Sequence, residues 1–169
     1  MKNYFVFFVF VMPVLLHLCS NNSVYKKKEG LFSQKLVNLN EDTLYLNEIV
    51  KEKSLIFRYS ILSCNSCVDS VFYYIRENEE ILGDLKILVF TYFNDLRHFI
   101  VTARLNRISY DIFLIPDNKL DMPQDNPLIP FFFLVDENCN ISNFYYINNV
   151  DKQKKQIKEY FESIKKNDI

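Results

Sequence analysis

Four cysteines carry most of the chemistry open to this chain: Cys19, Cys64, Cys67 and Cys139. Two of them stand three apart in Ser63-Cys64-Asn65-Ser66-Cys67. At the start of a helix that spacing brings two sulfurs within bonding distance. The exposed N–H groups and the positive dipole end there favour a thiolate at Cys64. A thiolate so stabilised is a good nucleophile and a good leaving group. The same pair could instead form a static disulfide or half of a zinc site. Zinc would need two further ligands, and only Cys139 and His98 are available, so no metal and no cofactor is expected.

Other reagents are scarce. The chain has two histidines, His17 and His98, so a histidine-built metal centre cannot form and a Ser-His-Asp triad would have to use His98. Its 169 residues hold two glycines, Gly30 and Gly83, too few for a P-loop or a dinucleotide-binding fingerprint. The net charge is −1, which gives no basic field for nucleic acid. A hydrophobic content of 49% is too high for a disordered chain.

The elements that must position the cysteines can be read from periodicity. Ser54-Leu55-Ile56-Phe57-Arg58-Tyr59 is a short β-branched and aromatic run, a buried strand. It feeds directly into the CxxC. From Cys67 the period changes to 3.6, with Val68, Val71, Phe72 and Ile75 on one helical face and Gly83 as its terminator. Residues 85–92 form a second strand, a helix with Leu96, Phe99, Ile100 and Ala103 inward follows Asn94, and residues 110–115 form a third strand. Residues 116–127 hold three prolines and many Asp and Asn, a loop. Ile129-Pro130 then leads into Phe131–Val135, which turns through 136–140 and returns along 141–147 as a hairpin. A helix over 151–166 closes the chain, and one or two short strands precede the first element between 36 and 46. Helices between the early strands demand parallel pairing and the hairpin adds antiparallel strands, so the fold class is α/β, a mixed central sheet with flanking helices. A CxxC at a strand-to-helix junction of such a unit points to redox exchange. Cys139 falls in the hairpin turn, where glycine is usual, and reads as an exposed loop residue; His98 reads as a surface or half-buried helix residue.

The first 18 residues read as an address. Lys2 is followed by an apolar run from Tyr4 to Leu18, about 22 Å as a helix and short of the roughly 30 Å hydrocarbon core of a membrane. This is the shape of a secretory signal. Leu16 ahead of Cys19 resembles a bacterial lipoprotein signal, which implies a diacylated Cys19; an ordinary secretory signal or an uncleaved anchor is the alternative. The expected organisation is a signal peptide over 1–18, a tether over 19–35 with Lys26-Lys27-Lys28, and one domain over 36–169. Either reading exports the domain to the cell envelope, where disulfides persist.

The strand SLIFRYS, the SCNSC motif, the amphipathic helix, and Ile129-Pro130 before a hairpin and a last helix resemble a thioredoxin-like protein over about residues 36–166. The chain is most similar to the TlpA-like thiol–disulfide oxidoreductases, many of which are tethered in bacterial envelopes. The resemblance implies Cys64 as exposed nucleophile, Cys67 as buried resolving thiol, a Cys64–Cys67 redox disulfide, and Pro130 after Ile129 as the cis-proline that faces the motif and lines the substrate. It implies protein thiols and disulfides of the envelope as substrates, and a redox partner. The sequence departs from the pattern at Ser63 (usually aromatic), at Ser66 (often Pro) and at Arg58, where thioredoxin carries a buried acid. Arg58 would favour the thiolate if it pointed at the sulfurs, and otherwise pairs with an acid such as Glu41 or Asp42. Peroxiredoxin chemistry would require Thr at position 61, which is Ile. A non-catalytic thioredoxin-fold lipoprotein, a binding module with a static Cys64–Cys67 disulfide, is the remaining alternative.

Overall fold

The computed structural model describes residues 33–63, 65–105 and 109–166. In chain order it contains β1 (Lys35–Val37), β2 (Thr43–Tyr45), α1 (Leu46–Ile49), β3 (Ser54–Ser60), α2 (Asn65–Glu77), α3 (Glu79–Leu82), β4 (Lys86–Tyr92), α4 (Leu96–Leu105), β5 (Asp111–Leu114), β6 (Phe131–Val135), β7 (Ile141–Tyr146) and α5 (Val150–Lys166). The strands form one sheet in the order β2-β1-β5-β4-β3-β6-β7. β3, β4 and β5 are parallel; β6 runs antiparallel to β3, and β7 antiparallel to β6. The expected mixed α/β architecture is present.

Handedness explains the layering. The steps β3 to β4 and β4 to β5 move the same way across the sheet, so right-handed crossovers place α2 and α4 on the same face. There Val71 and Ile75 of α2, Phe99 of α4, and Ile157 and Phe161 of α5 pack on Leu55, Phe57, Val89 and Phe132. The opposite face of β3 and β4 carries Ile56, Leu88 and Phe90, which meet Phe131 and Phe133 of β6. Among the described residues, no long helix covers this second face. Leu36, Leu46 of α1, and Leu120 and Met122 of the β5–β6 connection cover it instead. All five residues of β6 are buried, because its alternate phenylalanines serve the two faces.

Three local readings change. Gly83 does not end the CxxC helix. α2 stops at Glu77, and Gly83 (φ 59°) caps the separate turn α3, its N–H bonded to the Glu79 carbonyl. Leu46, at the end of the 36–46 stretch expected to hold short strands, instead opens the helical turn α1, in which Glu48 accepts from the Tyr45 N–H and Leu46 and Ile49 point inward. Cys139 is buried, not exposed. Asp136 Oδ1 accepts from the N–H groups of Asn138 and Asn140, and the Asp136 carbonyl accepts from Cys139 N–H at 2.8 Å. The turn so closed holds Cys139 at φ 54° and drives its side chain into the second core.

Phe132 joins β6 to the helical layer, with ring centroids 5.1 Å from Phe57, 5.3 Å from Phe161 and 5.9 Å from Tyr160. Phe132→Ala is expected to lower the unfolding free energy by about 3–5 kcal/mol, read from the urea midpoint at unchanged slope.

Candidate functional site

The site is built where β3 ends. Ser60 is the last residue of β3, and its neighbours make a tight turn: Ser63 N–H donates to the Ser60 carbonyl (2.9 Å), Ser60 N–H to Ser63 Oγ (3.2 Å) and Leu62 N–H to Ser60 Oγ (3.1 Å). α2 follows at once. Its first turn holds Cys67, half-buried and packed against the helical-side core. Cys64 and Cys19 lie outside the described residues. Serine at 63 thus acts as a turn-maker in the place of the expected aromatic.

The proline segment reaches the same end of the sheet. Arg58 pairs with Phe131 in the β3–β6 register, so Pro130 and Ile129 continue alongside Tyr59 and Ser60. The Ser60 hydroxyl donates to the Pro127 carbonyl at 2.5 Å. One hydroxyl therefore accepts from the cysteine turn and donates to the proline loop. Pro130 is buried, and its carbonyl accepts from Ile147 N–H at 2.8 Å. The Ile129–Pro130 peptide is trans, as is every peptide bond among the described residues. This corrects the expected cis-proline; trans is the intrinsically favoured isomer before proline.

A cleft of about 370 Å³ opens on the helical side between α2 and α4, lined by Tyr59, Ser60, Ile61, Asp69, Phe93 and His98 among others. His98 is exposed on α4 with its ring 5.2 Å from that of Phe93. Burial pushes the Tyr59 phenol up to about 12, and the Asp69 carboxylate adds to the rise. Among the described residues, no group of three His, Cys, Asp or Glu is arranged to hold a metal ion.

Arg58 lies on the other face of the sheet and does not pair with Glu41 or Asp42. Its side chain is fully buried and forms an ion pair with Asp125, Nε to Oδ1 at 3.0 Å, both groups 1% exposed. Nη1 donates to the Tyr59 carbonyl (2.6 Å), and Nη2 to the carbonyl and side-chain oxygens of Asn118 (3.1 and 3.2 Å). Burial lowers the Arg58 pKa, while the charge and hydrogen bond of Asp125 raise it. Sequence reasoning missed Asp125 because it lies 67 residues away in a loop without periodicity. The available signal was the charge at the centre of an otherwise apolar strand, which demands a partner.

No protein-family model matches the chain, and no curated protein is similar to it in sequence. Solved structures do share its architecture. A bacterioferritin comigratory protein of Xanthomonas campestris, described for alkyl peroxide reduction, superposes with a TM-score of 0.62 at 9% identity over 86% of this chain and 99% of that one. A secreted disulfide oxidoreductase of Mycobacterium tuberculosis gives 0.54 at 10% identity, over 81% and 99%. A thioredoxin-like protein of Porphyromonas gingivalis gives 0.58 at 18%, over 76% and 87%. At these identities the likeness is one of fold: the chain has a thioredoxin-like fold.

The raised Tyr59 pKa sets an alkaline limit. The folded state holds the phenol proton more tightly than the unfolded chain does. Its contribution is therefore full below pH 10 and falls away as pH rises toward 12. At pH 11 the wild type is expected to lose roughly 1 kcal/mol more, relative to pH 8, than Tyr59→Phe. Parallel urea titrations at the two pH values check this.

Proposed function

We propose that this chain is an exported, TlpA-like thiol–disulfide oxidoreductase, anchored in the bacterial cell envelope by a lipid on Cys19 after removal of residues 1–18. The observation that carries the reading is the placement of Cys67 in the first turn of a helix that leaves a buried strand, at the end of a thioredoxin-like sheet that the Ile129-Pro130 segment also reaches. The thiolate of Cys64 attacks one sulfur of a substrate disulfide, forming a mixed disulfide and expelling the other substrate sulfur as a thiolate that takes up a proton. Cys67, deprotonated, then attacks the Cys64 sulfur. The second substrate thiol leaves and a Cys64–Cys67 disulfide remains, so two electrons have passed to the substrate. The reverse sequence oxidises a dithiol, and a redox partner resets the pair. Ile129 and Pro130 form the edge against which a substrate strand lies, and Pro130 presents no N–H there.

Peroxide reduction is less well supported. Position 61, three before Cys64, holds a half-buried Ile rather than a hydroxyl, and the Ser60 hydroxyl is engaged with Pro127. The departures at Ser63, Ser66 and Arg58 favour the alternative of a non-catalytic binding module with a static disulfide.

Expression of Cys67→Ala in the envelope of a host bacterium separates the two. An exchanger accumulates mixed disulfides on Cys64, visible as reducible high-mass bands after acid quenching and absent from Cys64→Ser. No adduct above the Cys64→Ser background leaves only the binding module.

A further inference from the structure

The β5–β6 connection, residues 115–130, has an unusual task. β5 and β6 flank the β4–β3 pair, so the connection must cross two strands. It does so without a helix, on the face opposite α2. A crossing segment with no ladder of its own must find partners for its backbone elsewhere. Here side chains supply them. Arg58 takes both oxygens of Asn118 and Asp125 Oδ1, Asp125 Oδ2 accepts from Leu120 N–H (3.0 Å), and Tyr146 donates to the Gln124 carbonyl (2.6 Å). Ser60 closes the far end at Pro127. Two of these anchors, Arg58 and Ser60, come from the last three residues of β3, immediately before the cysteine turn.

We infer that Arg58 and Asp125 form a buried charge clamp that positions the Ile129-Pro130 edge against the cysteine turn for a polypeptide substrate. They are positioning residues: the guanidinium points to the face away from α2 and acts through the loop. A charged pair is a poor way to stabilise a core, since apolar replacements of similar volume are often as stable. What an ion pair with four directed hydrogen bonds supplies is a single loop geometry. The inference rests on the thiol-exchange reading for its consequence, but the clamp itself can be tested without it.

The double variant Arg58→Met/Asp125→Leu removes the charges together and leaves neither unpaired. Its test uses the full chain in detergent. Exchange is measured with a disulfide-linked peptide carrying several residues on each side of its cysteines, and with dithiobis(nitrobenzoate), which is too small to need the edge. The variant is expected to react with the peptide at least about tenfold more slowly, mainly through KM, and with the small disulfide within about twofold of wild type. Amide exchange should quicken across 118–130 while β3 and β4 stay protected. Equal slowing toward both disulfides, an unchanged peptide rate, or unchanged exchange across 118–130 overturns the clamp. If the double variant loses protection in β3 and β4, Asn118→Ala decides by the same readouts, with a several-fold loss toward the peptide alone as the supporting result and no selective loss as the overturning one. A wild type that reacts with neither disulfide removes the thiol-exchange reading, and loop exchange alone then supports or overturns the clamp.

Discussion

The structure turns on a guanidinium buried in β3, an interior strand of the sheet. Arg58 sits between Phe57 and Tyr59, in a strand every residue of which is buried. A charge there is tolerable only if its donors are met, because the interior cannot replace lost hydration. The partners could not come from the neighbouring strands, whose backbone groups are spent on the β3–β4 and β3–β6 ladders. Apart from the Tyr59 carbonyl of its own strand, they come from the β5–β6 connection. The requirement works in both directions: the loop satisfies the charge, and the charge gives the loop its course. With that course fixed, Leu120 and Met122 fall onto the second core. The second face is thereby closed.

The same end of β3 does two jobs on its two faces. Tyr59 points to the helical side and lines the cleft beside α2; Arg58 points away and holds the loop; Ser60 joins the turn before α2 to Pro127. The alternation of a strand therefore distributes three functions over three consecutive residues. The right-handed rule then does the rest. Because β4 and β5 are added in one direction, their crossovers stack on the cleft face and leave the other to the connection. A helix in place of the 115–130 segment would have covered the second face with its own hydrogen bonds, and a buried arginine would have kept only the Tyr59 carbonyl to bind.

Much of this was legible in the sequence. The β3 strand, the switch of period at Cys67, the parallel–antiparallel mixture and the final helix all follow from apolar spacing, because burial on one or two faces leaves a direct imprint on residue order. What failed was local or long-range. The α1 turn is four residues stabilised by one carboxylate, too short to have a period. The split between α2 and α3 gave Gly83 the wrong helix. Cys139 was misplaced because a turn was equated with exposure, whereas the Asp136 carboxylate closes this one and turns its side chain inward. The partner of Arg58 could not be read, since pairing across 67 residues leaves no periodic trace. The trans bond before Pro130 likewise departs from what family likeness led one to expect.

The scarcity of glycine finally explains why polar side chains do so much of the positioning. Among the described residues, four non-glycine positions adopt positive φ: Glu41, Asn118, Cys139 and Asn143. Each costs strain that glycine would avoid, more for Glu and Cys than for Asn. The cost is borne where a hydrogen bond or burial returns it. Glu41 N–H is held by the Asn38 carbonyl, Cys139 by Asp136 and by its apolar surroundings. Asn118 stands in the left-handed region and offers both its oxygens to Arg58. In that conformation its carbonyl and its side-chain oxygen turn toward one donor, a geometry glycine could reach but could not complete, since it has no side-chain oxygen. Asparagine at 118 is thus the residue that reconciles the turn with the clamp, and the strained backbone and the buried charge stabilise each other at one point.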